Sequence, residues 1–114
     1  MNALPFLDSE QLLEDLETLG QIGRTAEGGL MRIAFNKADW AGRAWVADQL
    51  RGLGLRVTTD AAGNTRAHYA GSQDLPAIAI GSHTDTVPNG GIYDGALGVL
   101  AGLACVRALQ GAGL

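Results

Sequence analysis

Apolar residues recur with the spacing of an amphipathic helix near the start of the chain. Leu12, Leu16 and Leu19 fall on one stripe, which predicts a helix from about Asp8 to Leu19. Asp8, followed three residues later by Gln11, resembles a capping box and gives this helix a starting point. The pattern therefore predicts one apolar helix face that packs against the rest of the chain.

A second helical pattern follows an irregular, glycine-containing stretch at residues 21–35. Asn36 is a favourable N-cap, and Phe35 and Trp40 occupy the two positions of a hydrophobic staple. We expect this helix to continue to Leu53 and to stop at Gly54. Its apolar residues cover a wide face, which suits packing on a sheet.

The middle of the chain carries strand signals. The segments from Leu55 to Thr59 and from Asn64 to Tyr69 flank a four-residue turn and predict a hairpin. The run Pro76–Ile80 is short and continuously apolar, which is typical of a central strand buried on both faces. The sequence thus predicts an α/β fold whose most buried strand ends at Ile80.

The residues from Gly95 to Val106 are all Gly, Ala, Leu, Val or Cys. A helix here is apolar on every side and must be buried. It is too short to span a bilayer, which needs about 20 residues. Gly95, Gly98 and Gly102 share one face, which predicts that the helix backbone approaches a sheet closely.

Composition narrows the classes of function. The 114 residues are 46% hydrophobic and 18% charged, which indicates one globular unit rather than a disordered segment. The net charge of -4, without a basic cluster, argues against a nucleic-acid partner. The single Cys105 cannot form an internal disulfide, and Met1–Phe6 lacks the features of a secretory signal. We therefore expect a cytoplasmic protein without a membrane partner.

A polar cluster follows the predicted central strand, at the end of the strand where ligands bind in open α/β sheets. His83 and Asp85 lie two residues apart and point the same way in an extended chain, so the Asp85 carboxylate can accept the free ring N–H of His83. Asp94 lies nine residues beyond Asp85, at the entrance of the apolar helix, where its carboxylate could bridge two cations. These three residues are candidates for a metal site.

Each candidate also has a simpler interpretation. A lone His at a strand end is more often a satisfied polar residue than a ligand, and an Asp before a helix is usually an N-cap. Elsewhere, we expect Cys105 to be a core residue, His68 to face solvent or the sheet surface, Asn64 to be a turn residue and Arg43 to be solvated. The residue types alone leave both the metal site and these interpretations open.

The pattern His-x-Asp-Thr-Val-Pro-Asn-Gly-Gly-x-x-Asp-Gly-Ala at residues 83–96 is specific. Together with Gly28-Gly29 and residues 60–64, it resembles the N-terminal part of the N-carbamoyl-L-amino-acid hydrolases, β-ureidopropionases and allantoate amidohydrolases. These families belong to the di-metal amidase and aminoacylase/carboxypeptidase superfamily. The resemblance implies a three-layer α/β/α catalytic domain, of which residues 1–114 would be an N-terminal fragment without the lid and dimerisation domain or the C-terminal half.

The resemblance also assigns roles to the candidate site residues. It implies that His83 ligates one metal, that Asp94 bridges two metals, and that Asp85 assists catalysis by orienting His83. It further implies a cis peptide bond between Asp94 and Gly95. The metals would be two divalent ions, Zn, Mn, Co or Ni, and the chain alone would hold them weakly or not at all.

The implied activity of the complete enzyme is hydrolysis of the carbamoyl C–N bond of N-carbamoyl amino acids or related ureido acids. The implied partners are a small ureido substrate and a second copy in a homodimer. Because family members are several times longer, we expect this chain alone to be inactive. The alternative is a non-catalytic remnant that self-associates or binds another protein.

Overall fold

The computed structural model describes residues 5–114, so the predicted absence of a signal in Met1–Phe6 falls partly outside the described residues. Three helices and one hairpin follow each other in the predicted order. They are α1 (Ser9–Leu19), α2 (Lys37–Gly52), β1 (Arg56–Thr59), β2 (Thr65–His68) and α3 (Ala96–Gly111). Among the described residues, no helix is both long and apolar enough to cross a membrane.

The predicted helix caps are present. An Asp8 carboxylate oxygen accepts from the Gln11 backbone N–H at 3.0 Å, which begins α1. The Asn36 side-chain oxygen accepts from the Asp39 backbone N–H at 2.8 Å, which begins α2. The Phe35 and Trp40 rings stand 5.9 Å apart across the start of α2 and form the predicted staple contact.

The core lies where α1 and α2 meet α3, because each supplies an apolar face. Its buried members are Leu16, Leu19, Val46, Ala96, Leu100 and Leu103. Arg107 of α3 forms an ion pair with the buried Asp15 of α1, which adds a charged contact between these two helices. Helix α3 is thus fixed by α1 on one side, which leaves its glycine face for another partner.

The hairpin forms as predicted, with antiparallel pairing of Val57 to Ala67. Arg43 reaches it from α2, since its guanidinium donates to the Gly63 carbonyl oxygen in the turn and to Asp39. The same group lies over the Phe35 and Trp40 rings. The expectation that Arg43 is solvated is therefore wrong, because three structural elements meet at its side chain.

The predicted central strand is not part of a sheet in this chain. Among the described residues, Ala77–Ile80 make no backbone-to-backbone hydrogen bond, and the Ile78 side chain is 94% exposed. The hairpin strands pair only with each other, so no described strand lies beside this segment. The prediction of burial on both faces is wrong here, because α3 covers one face only.

The glycine face of α3 explains how that one face is covered. A Cβ at Gly102 would lie 3.2 Å from Ile80 Cγ2, and one at Gly98 would lie 2.8 Å from Ser82 Cβ. The predicted close approach is confirmed, although a segment without regular secondary structure takes the place of a sheet. Cys105, on the same helix, is only half-buried, so the expectation that it is a core residue is also wrong.

The close approach at Gly98 gives a stability prediction. In Gly98→Ala the new Cβ must displace Ser82, which we expect to lower the free energy of unfolding by about 1–3 kcal/mol. The gain of up to about 1 kcal/mol from a better helix former offsets part of this loss and leaves a net destabilisation of about 1 kcal/mol. Gly111→Ala is the matched control, because a Cβ there meets open space at the end of the same helix. Equal urea midpoints for the two variants would contradict this account.

Candidate metal centre

The segment from Ile80 to His83 lies on α3, and His83 contacts the start of that helix. Gly95, the N-cap of α3, has φ 71° and ψ -54°, a conformation that L side chains rarely adopt. A Cβ at Gly95 would also collide with the His83 ring and carbonyl oxygen. Both constraints require glycine, and together they allow the imidazole to lie directly against the turn that carries Asp94.

The predicted contact between His83 and Asp85 is present, with one refinement. His83 Nδ1 lies 3.1 Å from the Asp85 backbone oxygen and 3.4 Å from Asp85 Oδ1, so the carbonyl is the nearer acceptor. A carbonyl oxygen can only accept, so Nδ1 carries the ring hydrogen. In the neutral ring, Nε2 then keeps its lone pair free for a ligand.

Asp94 stands on the other side of the ring. Its Oδ2 lies 3.7 Å from His83 Nε2, and both side chains are accessible to solvent. A lone pair and a carboxylate face each other here, an arrangement that a cation between them stabilises. Two ligands bound to one tetrahedral ion at 2.0–2.1 Å are about 3.4 Å apart, so the observed spacing fits His and Asp as ligands of one ion.

The pair does not make a complete coordination shell. No group of three or more His, Cys, Asp or Glu side chains that could hold a metal ion occurs within residues 5–114. Asp85 lies on the Nδ1 side of the ring and is directed at His83 rather than at the space before Asp94. A tetrahedral shell needs about four ligands, so these residues supply half of one.

A short ladder of hydrogen bonds fixes the loop that carries the candidate site, residues 83–94, to residues 30–32. Leu30 and Gly90 exchange two backbone hydrogen bonds, of 2.8 and 2.9 Å. Four residues earlier in the loop, the Thr86 backbone N–H donates to the Arg32 carbonyl at 2.7 Å, and the Arg32 N–H donates to Thr86 Oγ1. The loop between the two aspartates is therefore anchored at two points to one distant segment.

Arg32 supports this loop through its side chain, a role that the sequence pattern did not predict. It is only 1% exposed, and its Nε donates to the Thr84 carbonyl oxygen at 2.7 Å. Burial lowers the pKa of Arg32, while the negative charges of Asp39 and Asp85 act on it in the opposite direction. A single charged residue inside the apolar run at 30–35 indicates a buried arginine, but neighbouring residues in the sequence do not indicate its hydrogen-bond acceptors.

Several other expectations are settled by the geometry. The Asp94–Gly95 peptide bond is trans, so the expected cis bond is wrong, and the positive φ of Gly95 supplies the turn instead. His68 is exposed on β2, as expected. Asn64 is the predicted turn residue, and its side chain and backbone N–H both donate to the Asp60 carboxylate.

Comparison with known proteins identifies relatives along nearly the whole chain, although no family model matches it. The N-carbamoyl-L-amino-acid amidohydrolase of Pseudomonas sp. (strain NS671) is 41% identical over 105 residues, which is 91% of this chain and 25% of the relative. The allantoate amidohydrolase of Bacillus subtilis is 36% identical over 96 residues, 83% of this chain and 23% of the relative. The chain thus spans about a quarter of the length of these curated relatives.

Solved structures agree with these relatives. A hydantoinase/carbamoylase family amidase from Burkholderia ambifaria superposes with a TM-score of 0.93 at 42% identity, covering 98% of this chain and 28% of that one. The structure of AtUAH in complex with glyoxylate gives a TM-score of 0.89 at 30% identity, covering 96% and 26%. In sequence and in fold, residues of this chain correspond to the N-terminal part of the catalytic domain of the N-carbamoyl-L-amino-acid amidohydrolases and hydantoinase/carbamoylase family amidases.

Proposed function

We propose that this chain supplies part of a divalent-metal site for hydrolysis of the carbamoyl C–N bond of N-carbamoyl amino acids or related ureido acids. The observation that carries the proposal is the opposition of His83 Nε2 and Asp94 Oδ2, two electron-pair donors 3.7 Å apart. The names of the relatives supply the substrate class, since they include amidohydrolases of N-carbamoyl amino acids and of allantoate.

The residues of this chain would each have a defined task. His83 Nε2 and Asp94 would hold Zn, Mn, Co or Ni, the ions that take imidazole and carboxylate ligands. Asp85 would keep the hydrogen of His83 on Nδ1, through its carbonyl and carboxylate oxygens. A bound divalent metal lowers the pKa of a water ligand and polarises a carbonyl, which is the chemistry that amide hydrolysis needs.

The remaining roles of the reaction require further residues. Hydrolysis needs a base for the attacking water and an acid for the leaving nitrogen, and each such group contributes about 10²- to 10⁴-fold in rate. Other titratable groups, His68 and the acidic residues of α1, lie on β2 and α1 rather than on the segment that carries His83 and Asp94. We therefore assign the complete activity, the second half of the metal shell and the homodimer to a protein in which these residues join the rest of such a domain.

One observation favours the alternative, self-association. Ile78 and Ile80 are 94% and 63% exposed, and the backbone of Ala77–Ile80 has free hydrogen-bonding groups in the described structure. An unpaired apolar edge of this kind is a template for pairing with a second copy of the same segment. As a second candidate function, we propose antiparallel pairing of two copies through residues 77–80.

The metal site is tested by substitution of the two histidines of the chain. We expect wild-type protein to bind Zn²⁺ weakly and His83→Ala to abolish this binding, as measured by isothermal titration calorimetry. Asp85→Ala should weaken it by roughly 10- to 100-fold. His68→Ala is the matched control, because that ring is exposed on β2, and it should bind as wild type does. Equal affinities of wild type and His83→Ala would rule out the site.

The activity is tested in a chimera in which residues 5–114 replace the matching segment of the Geobacillus stearothermophilus relative, which is 38% identical. We expect ammonia release from N-carbamoyl amino acids by the chimera, and none after His83→Ala or Asp94→Ala. The 114-residue chain alone should release none, even with Zn²⁺ or Mn²⁺ added. Turnover by the chain alone that His83→Ala abolishes would show that it already holds every required group.

Self-association is tested by light scattering of the purified chain over a range of concentrations. We expect a dimer that Ile78→Lys converts to a monomer, because the charge lies in the paired edge. Phe6→Lys is the control, since Phe6 is 88% exposed but lies outside that edge, and it should leave the dimer intact. A monomer at every concentration would exclude this second function.

A further inference from the structure

Arg32 is a buried charge whose hydrogen-bond acceptors are all backbone carbonyl oxygens. Its Nε donates to Thr84, and its Nη1 donates to Leu19 at 2.9 Å and to Ile22 at 2.7 Å. A buried guanidinium is costly unless its donors are satisfied, so these three bonds are the condition for its burial.

The three acceptors belong to two separate parts of the fold. Leu19 and Ile22 lie at the end of α1 and just beyond it, whereas Thr84 lies between His83 and Asp85. A guanidinium is a planar fork with fixed donor directions, so it holds both parts in one relative orientation. Arg32 therefore connects the peptide group of Thr84 to the end of a helix packed in the core.

The fold makes space for this side chain. A Cβ at Gly42 on α2 would lie 2.8 Å from Arg32 Cδ, so the absence of a side chain there leaves room for the arginine stem. The backbone of Arg32 is also hydrogen-bonded to the loop, at Thr86. Side chain and backbone of Arg32 thus act on residues 84 and 86, on either side of Asp85.

We propose that Arg32 is a positioning residue for the His83–Asp94 pair. Its side chain fixes the Thr84 carbonyl, and its backbone carbonyl holds the adjacent peptide group between Asp85 and Thr86. Together these bonds keep the Asp85 carbonyl oxygen on His83 Nδ1 and leave Nε2 directed at Asp94. This inference rests on the proposed function, because the direction of Nε2 matters to the reaction only if that nitrogen binds a metal. The effect on the ring itself exists without metal and is measurable separately.

The test compares two arginine substitutions that both release α1 from a contact. Arg32→Met removes the contact to Thr84. Arg107→Met removes the ion pair with Asp15, and that ion pair makes no hydrogen bond to the loop. The readout is the tautomer of His83 in metal-free protein, taken from ¹⁵N–¹H correlation spectra at a pH where the ring is neutral. We expect wild type and Arg107→Met to carry the hydrogen on Nδ1. In Arg32→Met we expect the Nδ1-to-Nε2 ratio to fall by roughly fivefold, the effect of one net hydrogen bond.

A second readout separates this inference from the proposed function. Where wild type binds Zn²⁺ through His83, Arg32→Met should lower the affinity by about tenfold, as loss of support around a ligand does, and Arg107→Met should not. Absence of zinc binding by wild type would overturn the proposed function alone, since the tautomer comparison still decides the role of Arg32. An unchanged tautomer ratio in folded Arg32→Met would overturn the inference, whatever the zinc result.

Arg32→Lys keeps the inference testable if the methionine variant does not fold. Lysine retains the charge but lacks the planar fork that spans Thr84 and the end of α1. We expect a folded protein whose Nδ1-to-Nε2 ratio is lower than that of wild type. A wild-type ratio in Arg32→Lys would show that the charge alone is sufficient and would overturn the positioning role of the fork.

Discussion

The buried guanidinium of Arg32 is the interaction on which the arrangement of this chain depends. It joins the end of α1 to the backbone between His83 and Asp85, two regions that are far apart in the sequence. Each buried carbonyl left without its donor would cost about 1–3 kcal/mol, which is large against a typical domain stability of about 5–15 kcal/mol. The loop that carries the candidate site is therefore tied to the core by these hydrogen bonds, although it has no regular structure.

A second constraint acts from the opposite side of the loop. The glycine face of α3 allows the segment from Ile80 to His83 to lie directly on the helix backbone, and Gly95 makes room for the imidazole. Arg32 fixes the loop from the side of α1, and α3 limits how far the histidine can move. Contacts from both sides of the loop thus act on the direction of one ring nitrogen, and a fixed direction is what a ligand in a metal site requires.

The same geometry shows what the described residues provide and what they lack. They provide a histidine whose Nδ1 faces the Asp85 carbonyl oxygen, a carboxylate that faces Nε2, and hydrogen bonds from Arg32 to the intervening backbone. They do not provide a third ligand in the range 5–114. The chain spans about a quarter of the length of its curated relatives, and Ile78 and Ile80, which precede the candidate site in the sequence, are exposed.

Local patterns in the sequence determined the three helices, the hairpin, the caps at Asp8 and Asn36, and the nomination of His83, Asp85 and Asp94. These features depend on neighbours within a few residues, through turn chemistry, helical period and alternation along an extended chain. Only the tertiary structure decided the roles of Arg32 and Arg43, because their acceptors lie up to 52 residues away in the chain. A charged side chain in an apolar run does not encode the direction of a distant carbonyl. Exposure of the predicted central strand was decided in the same way, since burial of a strand depends on neighbours that its own sequence cannot supply.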